Sequence, residues 1–279
     1  METLIARNLK YLEGVIAVTI LSPVVDRMGW SFSQPRGAVG GPLGDDGRLR
    51  DLYLKDNPHY DGMFTLPVLW DEKTNVIVNN DAPDIVRMFG VAFNDLIPSK
   101  ATKNVKSLDF FPGDERTQNR IRRWTDYIDT ASMAIYRAGY AQTQLEHDAA
   151  VKEVFAVLDK VDTQLRGSPF LLGRSTFSEA DLRLYAFLIP FDAVFYALFK
   201  CNFKSIRNDY PNIHDFLRNL YWGRPAFRDA THFDHIKEHY YGSHQTLNPT
   251  RIAPLGPVHF ILPYDSKHSP EKLLSHILL

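Results

Sequence analysis

The sequence predicts an α/β unit followed by an all-α unit, and two features set that order. In the first part, helical periodicity alternates with β-type runs, "VIAVTIL", "FTLPVLWD" and "NVIVNN". From Thr117 onward, apolar residues recur almost wholly at helical spacing with short connections. The expected division is 1–96 for the first unit, 97–249 for the helical one and 250–279 for a tail.

Taken in order, Leu4, Ile5, Leu9 and Leu12 mark one face of a first helix, with Gly14 as its stop. Val15–Leu21 is a continuous β-branched run suited to a strand buried on both faces. Ser31–Gly47, rich in Gly and Pro without periodicity, reads as a long surface loop. Phe64–Asp71 and Asn75–Asn80 flank the turn residues "EKT" and predict an antiparallel hairpin. A short helix is expected over Asp81–Phe89, capped by Asn80 or Asp81, with Pro83 in its first turn.

After a linker at Leu96–Pro112, helices are expected at Thr117–Ala138, His147–Gln164, Ser178–Phe199 and Asn212–Tyr221. "SEAD" at Ser178–Asp181 has the form of a capping box, in which the hydroxyl and the carboxylate satisfy each other's backbone N–H groups. The proline-rich tail from Pro249 should be mostly irregular.

Composition narrows the functional classes. A formal net charge of -1 gives no general attraction to nucleic acid or to an anionic membrane. The one basic cluster, Arg116, Arg120, Arg122 and Arg123, is interleaved with Asp114, Glu115 and Asp126 and reads as a solvated helix face. A single cysteine, Cys201, excludes an internal disulfide framework or a cysteine-based zinc site and suits the reducing cytoplasm. The N-terminal residues carry Glu2 and no signal-peptide h-region. The apolar run Leu184–Phe199 is too short to span a bilayer and contains Pro190 and Asp192, so a buried helix is expected there.

Three short patterns bear on chemistry. Pro67 within a strand removes a ladder N–H, so Leu66–Pro67 is either a cis peptide whose neighbouring backbone can pair with a peptide ligand or a plain edge-strand proline. "NND" at Asn79–Asp81 ends a strand and opens a helix, where N–H donors and a carboxylate could hold an α-amino-acid head group or simply cap the helix. "HIKEH" at His235–His239 matches the inverted zinc-peptidase motif H-x-x-E-H, but a third ligand is not evident, and that reading stays a distant alternative.

Longer segments carry a family likeness. "MGWSF", "GMFTLPVLWDEKTNVIVNNDAPDIVRMF", "IYRAGYAQTQ", "FDAVFYALFKCNFKSI", "DYPNI" and "HIKEHYYGSHQTLNPTRIAPLGP" resemble the xi class of glutathione transferases, the glutathionyl-hydroquinone reductases. The resemblance covers nearly the whole chain. It implies the glutathione-transferase fold, with a thioredoxin-like N-terminal domain followed by a helical-bundle C-terminal domain, usually as a homodimer. Glutathione would be the co-substrate, with no metal, and the partners would be aromatic or quinone-derived molecules. The family reaction frees a hydroquinone from its glutathionyl conjugate.

The resemblance also implies that a β-strand and a Cys-Pro-Trp-Ala motif stand directly ahead of the segment matching "ETLIARNLKYLEG". A thiolate at a helix N-terminus is stabilised by the free N–H groups, which is why the chemistry uses one there. The expectation is therefore a chain written without its first strand and its nucleophile, from a truncated gene model or a short isoform. Cys201 is expected to be an inert core residue, leaving no catalytic residue to assign.

Among matched positions, Trp30, Leu66, Pro67 and Asp81 are implied in glutathione binding, and Trp30, Tyr136 and Phe195 in the aromatic-substrate site. Several positions depart from the family pattern: Met63 replaces an arginine, Ala82 a serine, Phe195 a tyrosine and Leu198 a histidine. A non-catalytic binder of glutathione or aromatic ligands on the same fold is the alternative.

Overall fold

The predicted hairpin forms, shorter than expected: β1 (Leu69–Asp71) and β2 (Val76–Asn79) pair antiparallel. The registers are Leu69 with Asn79, Trp70 with Ile77 and Asp71 with Val76. Asn75 makes the turn at φ 57, a left-handed conformation that asparagine tolerates. The Asp71 carboxylate accepts from the backbone N–H of Lys73 at 2.8 Å and of Thr74 at 3.3 Å, which closes the turn locally.

The computed structural model describes residues 1–32, 41–44, 46–98, 103–174, 176–257 and 261. They divide into a first unit, Met1–Asn119 with Asp234–Arg251, and a second, Arg120–Phe233 with Ile252–Leu279.

In the first unit, α1 (Glu2–Leu9) ends earlier than its apolar pattern suggests, because Tyr11 turns left-handed at φ 55. α2 (Leu49–Asp56) follows the loop, and α3 (Ala82–Val91) follows the hairpin with Asp81 as its cap. A 3₁₀ turn at Asn94–Leu96 and α4 (Lys103–Lys106) complete the linker. Lys10, fully buried, ties this region together. Its ammonium donates to the carbonyls of Gly90 at 2.7 Å and Leu108 at 2.8 Å and to Asn94 Oδ1 at 2.9 Å.

The strand expected at Val15–Leu21 does not form. A continuous apolar run carries no information about a pairing partner, and here neither pairing nor full burial results, with Val15 and Ile20 45% and 38% exposed. The Ile16 carbonyl is taken by Arg7 Nε at 2.6 Å, not by a neighbouring strand. Most of the predicted loop at 31–47 lies outside the described residues; within it, Phe32 is buried and its ring lies over Gly41.

The second unit is helical, as predicted. α5 (Glu115–Tyr140), which begins in the first unit, and α6 (Gln144–Leu165) are its long members. α7 (Glu179–Leu188) opens with the Ser178 and Asp181 capping box. The single helix expected over Ser178–Phe199 is broken: after Leu188 the chain passes Pro190, which has no N–H to donate, into a wider turn at Phe191–Phe195. There Asp192 accepts from the N–H groups of Ile206 at 2.8 Å and Arg207 at 3.1 Å, holding the start of α8 (Ile206–Asp209). α9 (Pro211–Gly223) and α10 (Pro225–Arg228) follow, and α11 (Phe233–Ser243) leads back into the first unit. Residues 250–257 carry no helix or strand, and the tail beyond is described only at Ile261. No described helix is long and apolar enough to cross a membrane.

Candidate functional site

The first unit frames two anchors on either side of the hairpin. Leu66–Pro67 is a cis peptide, and among the described residues nothing hydrogen-bonds to the Leu66 backbone. Fifteen residues on, Asp81 caps α3: its Oδ1 accepts from Asp84 N–H at 2.9 Å, and its own N–H donates to Asn79 Oδ1 at 2.7 Å. The carboxylate is exposed at the positive end of a ten-residue helix, where a second oxygen can meet an ammonium group.

α2 holds these anchors from beneath. Leu49, Leu52 and Tyr53 form a buried cluster against which Trp30, Phe64, Val68, Trp70 and Ile77 pack. The Tyr53 hydroxyl donates to the Thr65 carbonyl at 2.8 Å and accepts from Asn80 Nδ2 at 3.0 Å. Tyr53 therefore touches the residue before each anchor. No sequence motif marks Tyr53, although Leu49, Leu52 and Tyr53 follow the helical spacing that signals α2.

Trp30 follows Gly29, whose φ of 92 favours glycine, and its carbonyl accepts from Leu49 N–H at 3.1 Å. Its indole stacks on His239 of α11, with centroids 5.2 Å apart and planes at 19°. α11 grips the preceding segment at three points. His239 Nδ1 donates to the Pro23 carbonyl at 2.9 Å, and Ser243 Oγ accepts from Val25 N–H at 3.0 Å. Gly242 lies so close to Val24 that a Cβ there would sit 2.8 Å from a valine methyl. Arg48 takes both oxygens of Asp26, at 2.9 and 3.1 Å, and holds that carboxyl below the usual range.

His239 is thus engaged by a carbonyl and a ring, and burial pushes its pKa down. Glu238 of the same motif is exposed, and among the described residues no three His, Cys, Asp or Glu side chains converge. The zinc-peptidase pattern gains no support from this arrangement.

In the second unit, Tyr136 is exposed on α5, and its ring meets Phe199 edge-on at 5.2 Å. Phe199 meets Phe195 at 5.6 Å, so Phe195, only 4% exposed, lies one ring behind Tyr136. Cys201 is completely buried, and that burial pushes its thiol up to about 12. Among the departures from the family pattern, Met63 is 80% exposed, Ala82 opens α3, and Leu198 is buried.

Comparison with known proteins gives a consistent set of likenesses. Residues 144–219 match the family model "Glutathione S-transferase, C-terminal domain". The chain is 42% identical over 260 residues to glutathione S-transferase omega-like 2 of Schizosaccharomyces pombe, covering 92% of this chain and 81% of that protein. It is 39% identical to the glutathionyl-hydroquinone reductase YqjG of Escherichia coli, covering 92% of this chain and 75% of that protein. The glutathione-bound structure of YqjG superposes with a TM-score of 0.84 at 38% identity, over 95% of this chain and 83% of that one. The crystal structure of the xi glutathione transferase from Phanerochaete chrysosporium superposes with a TM-score of 0.87 at 44% identity, over 95% of this chain and 88% of that one.

Proposed function

The chain belongs to the xi class of glutathione transferases, and on that premise we propose that it binds glutathione for the reductive cleavage of glutathionyl conjugates of hydroquinone-type rings. The observation that carries the reading is the pair of anchors flanking one hairpin, the Leu66 backbone and the Asp81 carboxylate. Leu66 would pair with the cysteinyl backbone of glutathione, beside Pro67, and Asp81 would hold the γ-glutamyl ammonium.

On the family pattern, a cysteine thiolate placed directly ahead of α1 attacks the thioether sulfur of the conjugate. The S–C bond breaks with its electron pair passing to the ring carbon, which takes a proton. Glutathione then reduces the mixed disulfide and leaves as its own disulfide. Cys201 is not the attacking thiol, since a buried sulfur held protonated is neither accessible nor nucleophilic. Trp30 in the first unit, and Tyr136 backed by Phe195 in the second, are each assigned to the aromatic part of the substrate on the family pattern. A cytoplasmic homodimer is the assembly that goes with this reading.

Titration calorimetry with glutathione, together with hydroquinone release from a glutathionyl conjugate by the protein isolated from its own cells, tests the proposal. Saturable glutathione binding is expected, with turnover where the isolated protein supplies a reactive thiol other than Cys201. Absence of glutathione binding refutes the reading, and binding without turnover reduces it to a ligand-binding protein.

A further inference from the structure

Thr65 and Asn80 stand at opposite ends of the hairpin segment, yet one atom joins them. The Tyr53 oxygen donates to the carbonyl of Thr65 at 2.8 Å and accepts from the Asn80 amide at 3.0 Å. A phenol can donate one hydrogen bond and accept others, so it can tie an acceptor to a donor across a gap that neither bridges alone. Phenylalanine would fill the same space and tie nothing.

The rest of the side chain leaves the hydroxyl little freedom. Tyr53 is 2% exposed, and its ring lies against Tyr60 at 4.9 Å and edge-on to Phe64 at 5.5 Å. Three residues further along α2, Asp56 Oδ1 accepts from Ile77 N–H at 3.2 Å, so the same helix also holds the middle of β2. Each partner of the hydroxyl is the immediate neighbour of an anchor, Thr65 of Leu66 and Asn80 of Asp81.

We propose that Tyr53 is a positioning residue for glutathione: its hydroxyl sets the separation between the Leu66 backbone and the Asp81 carboxylate, so that one tripeptide reaches both. This rests on the reading of Leu66 and Asp81 given above. A ligand held at two points gains from the second contact only if the spacing is fixed in advance, because otherwise ordering the site consumes that gain.

The test is a double-mutant cycle on glutathione affinity, measured by titration calorimetry on the full chain with Tyr53→Phe, Asp81→Asn and both together. Tyr53→Phe should weaken binding about 3- to 10-fold, the worth of one hydrogen bond. The Asp81→Asn penalty should shrink in the Tyr53→Phe background, since a misplaced carboxylate has less to lose. A merely structural loss would leave that penalty intact. Asn80→Ala removes the other half of the bridge and should show the same coupling to Asp81→Asn, including where Tyr53→Phe folds poorly. Unchanged affinity in Tyr53→Phe or Asn80→Ala, or a full Asp81→Asn penalty in either background, overturns the proposal. Failure of the unmodified chain to bind glutathione, or of Asp81→Asn to weaken it, overturns the underlying site reading.

Discussion

The imidazole of His239 lies stacked on the indole of Trp30, centroids 5.2 Å apart, while its Nδ1 holds the carbonyl of Pro23 at 2.9 Å. Residues more than 200 positions apart thus fix the segment that carries the proposed ring contact. His239→Ala removes both interactions and should cost roughly 1–2 kcal/mol. His239→Phe keeps a ring over the indole and should cost less. Chemical melts read the cost, and the Trp30 emission, isolated by difference with Trp30→Phe, should shift in the alanine variant.

The same contact sets a pH dependence. Burial favours neutral His239, and neighbouring His244, at a ring-centroid distance of 6.2 Å, is also pushed down, by burial first and by His239 second. With the folded value below the ordinary one, near ~6.5, the contribution to stability is present above that pH. It is lost as pH falls through the depressed folded value. His239→Ala should flatten this part of the acid limb of the stability profile.

Lys10 is a sharper case of burial with compensation. Its ammonium is wholly buried but has three oxygen partners within 2.9 Å, two of them backbone carbonyls near the end of α3 and in the following linker. Lys10→Met would leave those oxygens without their donor and should destabilise the first unit by about 2–4 kcal/mol. Amide exchange should report it as faster opening of α1 and α3, with α6 and α9 unaffected.

Asp181 gives the second unit its own pH signature. Its carboxylate accepts from Leu171 N–H at 2.8 Å, Ser178 N–H at 2.9 Å and Ser178 Oγ at 3.1 Å, but complete burial pushes its pKa up to about 7. A raised folded value means that its contribution is fully present below the ordinary carboxylate range and lost as pH rises through about 7. Asp181→Asn should remove that slope and, by offering one acceptor oxygen in place of two, lower stability by roughly 1–3 kcal/mol near neutral pH. Thermal melts of both proteins across pH 4–9 make the comparison.

Native Cys201 should resist alkylation by iodoacetamide for as long as the protein stays folded, because its thiol is buried and held protonated. Modification at the rate of a free thiol in native buffer would contradict both the burial and its exclusion as nucleophile. Cys201→Ala, which removes little volume, should leave glutathione affinity unchanged.

What the sequence disclosed follows from which signals are local. The hairpin, the Asp81 cap and the Ser178 box were legible because turn residues and caps act within four positions. Val15–Leu21 misled because apolar continuity carries no information about a pairing partner. Ser178–Phe199 misled because helical periodicity persists through Pro190, where the hydrogen-bond ladder does not. His239 stands out in the sequence only through a metal-type pattern, and its contact with Trp30 is not legible there because it links distant segments. Tyr53 escaped for the same reason: its two hydrogen-bond partners lie 12 and 27 residues away.

The start of α3 offers a gain-of-function test. Ala82 is its first residue, where the family pattern places a serine, and the exposed Asp81 carboxylate lies beside it. A hydroxyl there can donate to the γ-glutamyl carboxylate of glutathione at the positive end of the helix, adding one charge-assisted hydrogen bond. Ala82→Ser should therefore tighten glutathione binding by about 3- to 10-fold. Leu66→Ala, which keeps the backbone groups assigned to the ligand, should change it less than about 2-fold. If the serine adds nothing while Leu66→Ala weakens binding strongly, recognition at this face runs through side-chain packing, and the backbone-pairing assignment of Leu66 fails.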